Sequence, residues 1–239
     1  METRPNFLQT AWGAFTLREE TYAGMRDDAQ RIKRALVLVV VVGLIVGVTG
    51  AVGQLTEWAF SPPMDKMQAV VLTHLMRMPW YAEVSRSPEG LAQFRQWYDV
   101  GWQIARAVAP SPTALSGIVT TPLSLLVVWL VYGVLAHLAA RILGGRGSVG
   151  QTLGCTALAV TPQLLSVVAI LPAATAAGVG TWTLVCNFVA IRAAHGLTGW
   201  RALVATLLPL ALGILVGALF ACVGLAVAGT VLGNMGGVR

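Results

Sequence analysis

Four stretches of this chain carry no Asp, Glu, Lys or Arg over lengths that match or exceed the thickness of a bilayer. Ala35 to Thr56 runs 22 residues, Ala107 to Ala140 runs 34, Gly147 to Ile191 runs 45 and Ala202 to Val238 runs 37. A helix needs about 20 mostly apolar residues to cross the hydrocarbon core. The third stretch is too long for one crossing and divides at LPAATAAGVG, Leu171 to Gly180. Only 11% of the residues are charged, against roughly 25% in soluble domains. A soluble fold would need several helices apolar on every side, all buried in one small domain. The predicted class is therefore all-α: an integral membrane protein, a bundle of five transmembrane helices with amphipathic surface helices.

The segments follow from where the charges stand. Residues 1–34 are polar, with Phe7, Trp12, Phe15, Tyr22 and Met25 at loose helical spacing, which predicts a cytoplasmic amphipathic segment lying on the membrane. Residues 35–56 form the first span. Its VLVVVVGLIVGV run is rich in β-branched residues, but its length and lack of alternation favour a helix. Residues 57–113 form an extracytoplasmic amphipathic loop. Ser61 and Ser87 stand where helix caps would, and Leu91, Phe94, Tyr98, Trp102 and Ala105 share one helical face. Residues 114–232 hold the other four spans, near 114–143, 149–171, 178–194 and 200–230. Residues 233–239 are a glycine-rich tail.

Five crossings put the termini on opposite sides, and the cations choose between the two orientations. With the N-terminus in the cytoplasm, Arg4, Arg18, Arg26, Arg31, Lys33, Arg34, Arg141, Arg146, Arg192 and Arg201 lie inside. Lys66, Arg77, Arg86, Arg95, Arg106 and Arg239 lie outside. Ten against six favours this orientation, with the C-terminus outside and the chain in the cell (cytoplasmic) membrane.

Acids are distributed more sharply still. All ten lie at or before Asp99, so the last 140 residues contain no carboxylate side chain. Paired-carboxylate hydrolysis, carboxylate-held metals and carboxylate proton relays cannot be built there. Cys155, Cys186 and Cys222 all fall inside spans and read as small packing residues, not as a disulfide framework or a metal site. No enzyme is predicted and no cofactor. Mixed charge signs in residues 1–34 give no reason to expect nucleic acid.

Between spans 2 and 3, AHLAARILGGRGSVGQTLG sets a histidine, two arginines and several glycines between apolar runs. Gly144 and Gly145 suit a helix end and Ser148 suits a cap for the next helix. The turn IRAAHGLTGWR between spans 4 and 5 is built alike, with Gly196 at the helix end and Thr198 as a cap. Together the turns present His137, Arg141, Arg146, Arg192, His195 and Arg201 with no carboxylate close in sequence. Two helix N-termini add partial positive charge. This predicts an anion-receptive surface whose cheapest ligand is a lipid phosphate, so bound phospholipid is expected. The plainer reading assigns these residues to capping and topology alone.

AHLAARILGGRGSVGQTL, then ALAVTPQLL, then WTLVCNFVAIRAAHGLTGWRAL resembles the Yip family, five-span membrane proteins first linked to Ypt/Rab GTPases. The resemblance runs from about Leu123 to Leu212. The aromatic, basic approach to span 1 and the long loop after it are similar to bacterial members. It implies a membrane fold and no catalytic constellation. Eukaryotic members are associated with vesicle traffic and Rab binding, and residues 1–34 carry no motif that extends this to the present chain.

Small residues suggest how the helices meet. Gly43 and Gly47 form a GxxxG pair in span 1, and Gly213, Gly217, Ala221, Gly224 and Ala228 keep one face of span 5 small. Such faces serve packing within the chain or docking of a protein partner. The expected function is a non-enzymatic scaffold or accessory subunit of a membrane assembly. The alternatives are a transporter or channel for a small solute and, with less support, a redox or pigment-binding subunit using His137 and His195.

Overall fold

The computed structural model describes residues 6–108, 115–171 and 176–236. Those residues are helical throughout, in the order α1 (Phe7–Phe15), α2 (Glu19–Asp27), α3 (Arg31–Phe60), α4 (Met64–Leu75), α5 (Pro79–Val84), α6 (Pro88–Val108), α7 (Gly117–Ile142), α8 (Val149–Leu158), a 3₁₀ segment (Thr161–Ile170), α9 (Val179–His195) and α10 (Gly199–Gly236). Residues 172–175 of the 171–180 turn, Arg4, and the end of the tail with Arg239 lie outside the described residues, as does the side chain of Ala228.

Four crossings are long and apolar enough for a membrane: α3, α7, the α8–3₁₀ unit over Val149–Ile170, and α10 over Gly199–Gly224. A helix satisfies its own backbone hydrogen bonds, which hydrocarbon demands. The chain is a multi-pass helical membrane protein. The fifth expected span, α9, is 17 residues long, about 25 Å at 1.5 Å per residue against a core of roughly 30 Å. It is short because Gly178 and Gly196, both left-handed, end it on either side. Span 3 also departs from expectation. Its α-helix stops at Leu158 and the chain continues as 3₁₀ turns. Pro162, in the first turn of that segment, has no N–H to donate and its ring opposes a continuous α-ladder.

The N-terminal segment does not simply lie on the membrane. It folds into two helices, reversed at Leu17 with φ of 58°, and these dock onto α8, α9 and the 3₁₀ segment. An Asn6–Gln9 capping box starts α1. Tyr22 and Met25 are buried in one core cluster with Leu38, Val39, Trp129, Leu158 and Ala190. The Tyr22 hydroxyl donates to the Ala14 carbonyl at 3.0 Å, and Trp182 Nε1 donates to the Phe15 carbonyl at 3.0 Å. These two carbonyls lie in the last turn of α1; the Ala14 carbonyl also accepts the Leu17 N–H at 3.1 Å, so Tyr22 adds a second donor there. A second cluster joins α7, α9 and α10 through Ala136, Ala140, Ile191, Leu197, Ala202 and Ala205.

Of the expected 57–113 loop, residues 57–60 continue α3 and residues 61–108 form a helical hairpin in which no described residue of α4, α5 or α6 is buried. The expected α6 face is an aromatic ladder: Phe94 lies 5.3 Å from Tyr81 and 5.8 Å from Tyr98, and Tyr98 lies 6.1 Å from Trp102. Arg106 closes the hairpin on Asp65 at 2.8 Å. Ser87 Oγ accepts the Gly90 N–H at 3.0 Å, as expected of a cap, whereas α4 starts after Pro63 without a side-chain cap from Ser61.

Of the small-residue positions among the described residues, only the α3 pair packs inside the chain. A Cβ on Gly43 would stand 2.6 Å from Pro122 Cα, and one on Gly47 2.8 Å from the Gly117 carbonyl oxygen. Pro122 sits within α7, and the absence of a side chain at Gly43 lets α3 approach it this closely. Gly213 and Gly217 have nothing within reach of an added Cβ, and Ala221 is exposed. Among the described residues, span 5 thus does not use its small face within the chain.

Gly43→Ala should lower the melting temperature of the purified protein, by an overpacking cost of about 1–3 kcal/mol. Gly50→Ala, in the same helix with open space around it, should leave melting unchanged or raise it through helix propensity. A thermal melt in mild detergent checks both, and equal behaviour of the two variants would refute the α3–α7 contact.

Candidate functional site

The two basic turns meet. Gly144, with φ of 89°, ends α7 in the left-handed conformation that favours glycine, and the Gly145 N–H bonds the Ala140 carbonyl at 2.8 Å. The chain then runs across the end of α9. A Cβ on Gly145 would stand 2.6 Å from His195 Nδ1, and one on Gly147 would overlap the Ala194 carbonyl. Glycine is required here because two backbones touch. The Arg146 N–H donates to the His195 carbonyl at 3.3 Å. Ser148 then caps α8 in a reciprocal box with Gln151.

His195 is buried and both its ring nitrogens are engaged. Nδ1 accepts the Gly147 N–H at 3.2 Å, which assigns the proton to Nε2. Nε2 donates to Thr152 Oγ1 at 2.8 Å, and Thr152 Oγ1 donates to the Ser148 carbonyl at 3.0 Å. His137 Nδ1 reaches the same hydroxyl at 3.0 Å, and the two imidazoles lie 5.2 Å apart. With its hydrogen on Ser148, the Thr152 oxygen accepts from both rings. One hydroxyl therefore satisfies two histidines, and any ligand at His195 would have to break this network.

The arginines separate into different surroundings. Arg141 turns back toward the Gly145 carbonyl at 3.5 Å. Arg192 has a carboxylate partner after all, Glu19 at 3.8 Å, because the docked N-terminal segment brings α2 alongside α9. Arg146 and Arg201 line one open groove of about 540 Å³ with Gln151, His195, Thr198 and a residue that local spacing could not supply, Arg26 from α2. Arg26 Nη1 donates to the Ala193 carbonyl at 3.4 Å, at the C-terminal end of α9. Its Nε and Nη2 hold Asp27, each at 2.8 Å, and this guanidinium keeps the Asp27 carboxyl below the usual carboxylate range. Among the described residues no carboxylate lies within ion-pair distance of Arg146 or Arg201. Of the six turn residues, the groove unites Arg146, His195 and Arg201. His137 lies behind it on Thr152, and Arg141 and Arg192 lie outside it.

The model of the Yip1 domain matches residues 12–221. The chain belongs to the Yip1 domain family. The match takes in the end of α1, all of α2 and the α4–α6 hairpin as well as the turns. No curated protein and no solved structure matches the chain.

Thr152 and Arg26 are the residues that sequence reasoning missed in this Yip1 domain. A threonine four residues into a helix normally bonds back to its own turn, and Thr152 does so too. Nothing local marks its second role. Arg26 lies 167 residues from Ala193 in sequence, and only tertiary docking joins them.

Thr152→Val should destabilise the fold by about 1–3 kcal/mol, because the buried Nε2–H of His195 loses its acceptor. His137→Phe, at a half-buried position, should cost less, and the double variant should cost less than the sum of the two. Strict additivity in thermal melts would contradict the shared hydroxyl.

Proposed function

We propose that this Yip1-domain protein is a non-enzymatic scaffold or accessory subunit of a membrane assembly. The observation that carries this reading is the free outer length of α10. Every described residue from Leu210 to Gly224 is exposed, and the face bearing Gly213, Gly217, Ala221 and Gly224 has no neighbour among the described residues. Small residues in a membrane helix allow close approach of a second helix. Gly43 and Gly47 already serve that purpose within the chain, whereas this face is unfilled. The partner is a transmembrane helix.

The orientation proposed is N-terminus in the cytoplasm and C-terminus outside, in the cell membrane. It rests on the ten-to-six cation bias, and it requires the 17-residue α9 to serve as the fifth crossing.

A photo-reactive residue at position 221 should give a discrete protein adduct in native membranes, and Gly217→Leu should abolish it without lowering the melting temperature. Adducts with lipid alone would contradict the docking role. In the same cells, protease added from outside should cut within residues 61–108, and cleavage only after lysis would reverse the orientation.

A further inference from the structure

The groove between α2, the 143–148 turn and the α9–α10 turn has a composition that capping does not explain. Three guanidinium groups reach it from three separate parts of the chain: Arg26 from α2, Arg146 from the first turn and Arg201 from the first turn of α10. Arg26 and the Arg146 backbone N–H answer the last carbonyls of α9. The Arg146 and Arg201 guanidinium groups answer nothing: neither forms a hydrogen bond or ion pair among the described residues. Arg201 lies against Gly144, with Nη1 3.5 Å from where a Cβ would stand. The acids nearest by contact are already committed, Asp27 to Arg26 and Glu19 to Arg192. Two helices also begin at the groove, α8 and α10, and their N-terminal dipole ends add partial positive charge, although the Gly147 and Gln151 N–H groups are already taken by His195 and Ser148.

We propose that this groove is a binding site for a phosphate group, held by Arg146 and Arg201 with Arg26 at its rim. The planar fork of a guanidinium matches two phosphate oxygens at once, and two such forks on one groove suit a tetrahedral anion better than a carboxylate. The cavity, about 540 Å³, exceeds a single phosphate and leaves room for the group that carries it. Trp200, in the first turn of α10, and Ile142, at the end of α7, are both exposed. Tryptophan and bulky apolar residues at helix ends mark the level of lipid headgroups. A phosphate there comes from a phospholipid headgroup or from a soluble phosphate compound, and the chemistry of recognition is the same for both.

The test uses the full-length protein purified in mild detergent, beside an Arg146→Gln/Arg201→Gln double variant and an Arg141→Gln control. Arg141 lies outside the groove and carries the same charge. Native mass spectrometry after incubation with phosphatidylglycerol reads the lipid source, and the thermal shift with inorganic phosphate reads the soluble one. Loss of two charge-assisted contacts should weaken binding by at least about tenfold, with Arg141→Gln close to wild type. Arg201→Lys should fall between, because it keeps the charge and loses the fork. Phosphatidylglycerol adducts that inorganic phosphate does not displace assign a lipid. A phosphate-dependent rise in melting temperature without lipid adducts assigns a soluble phosphate compound. Equal binding by wild type and the double variant in both measurements, or an equal loss in Arg141→Gln, would overturn the site.

Discussion

A carbonyl at the C-terminal end of a helix has no donor within its own helix, and in hydrocarbon it has no water either. The exposed ends of this bundle are organised around that deficit. The Ala14 and Phe15 carbonyls, at the end of α1, receive the Tyr22 hydroxyl and the Trp182 indole. The Ala193 and His195 carbonyls, at the end of α9, receive the Arg26 guanidinium and the Arg146 N–H. In three of these four bonds, donor and acceptor come from elements far apart in sequence. Each such bond ties one element to another, so the N-terminal segment, the first basic turn and the end of α9 form one unit. The family match from residue 12 onward is consistent with a domain that includes the docked segment.

Close backbone approach is the second constraint, and it explains why glycine appears where side chains would seem welcome. Gly145 and Gly147 let the turn cross the end of α9, and Gly43 and Gly47 let α3 meet α7 at Pro122 and Gly117. The His195–Thr152–His137 network depends on this proximity, because His195 Nδ1 takes its hydrogen bond from Gly147. A turn with side chains at those two positions would stand off the helix end and leave the imidazole unsatisfied. Polar contacts elsewhere follow the same economy: Trp129 donates to the Leu153 carbonyl and Tyr132 to the Thr206 carbonyl, each bridging two membrane helices.

Hydropathy made the all-α membrane class legible, because a bilayer imposes a length that charge-free runs either meet or miss. Gly144, Gly196 and Ser148 were legible as helix ends for a similar reason: each has a local conformational or capping role. The break at Pro162, the shortness of α9 and the docking of α1–α2 were not. Pro162 breaks a helix only where no neighbour compensates, and an aromatic amphipathic segment carries the same pattern whether it faces lipid or protein. In the groove, Arg146, His195 and Arg201 were found from turn spacing, whereas Arg141 and Arg192 shared that spacing and lie elsewhere. Arg26 could be assigned only once α2 was known to dock beside α9.

The docking of the N-terminal segment onto α8 and α9 is the claim on which the groove, the first core cluster and the end of α9 all depend. Spin labels at positions 19 and 192, where Glu19 and Arg192 stand 3.8 Å apart, in a background with the three native cysteines replaced, measure it directly by pulsed electron resonance in lipid nanodiscs. The docked fold predicts one narrow population at the short end of the measurable range. A broad population extending to long distances would show the segment free on the membrane surface and would contradict the account.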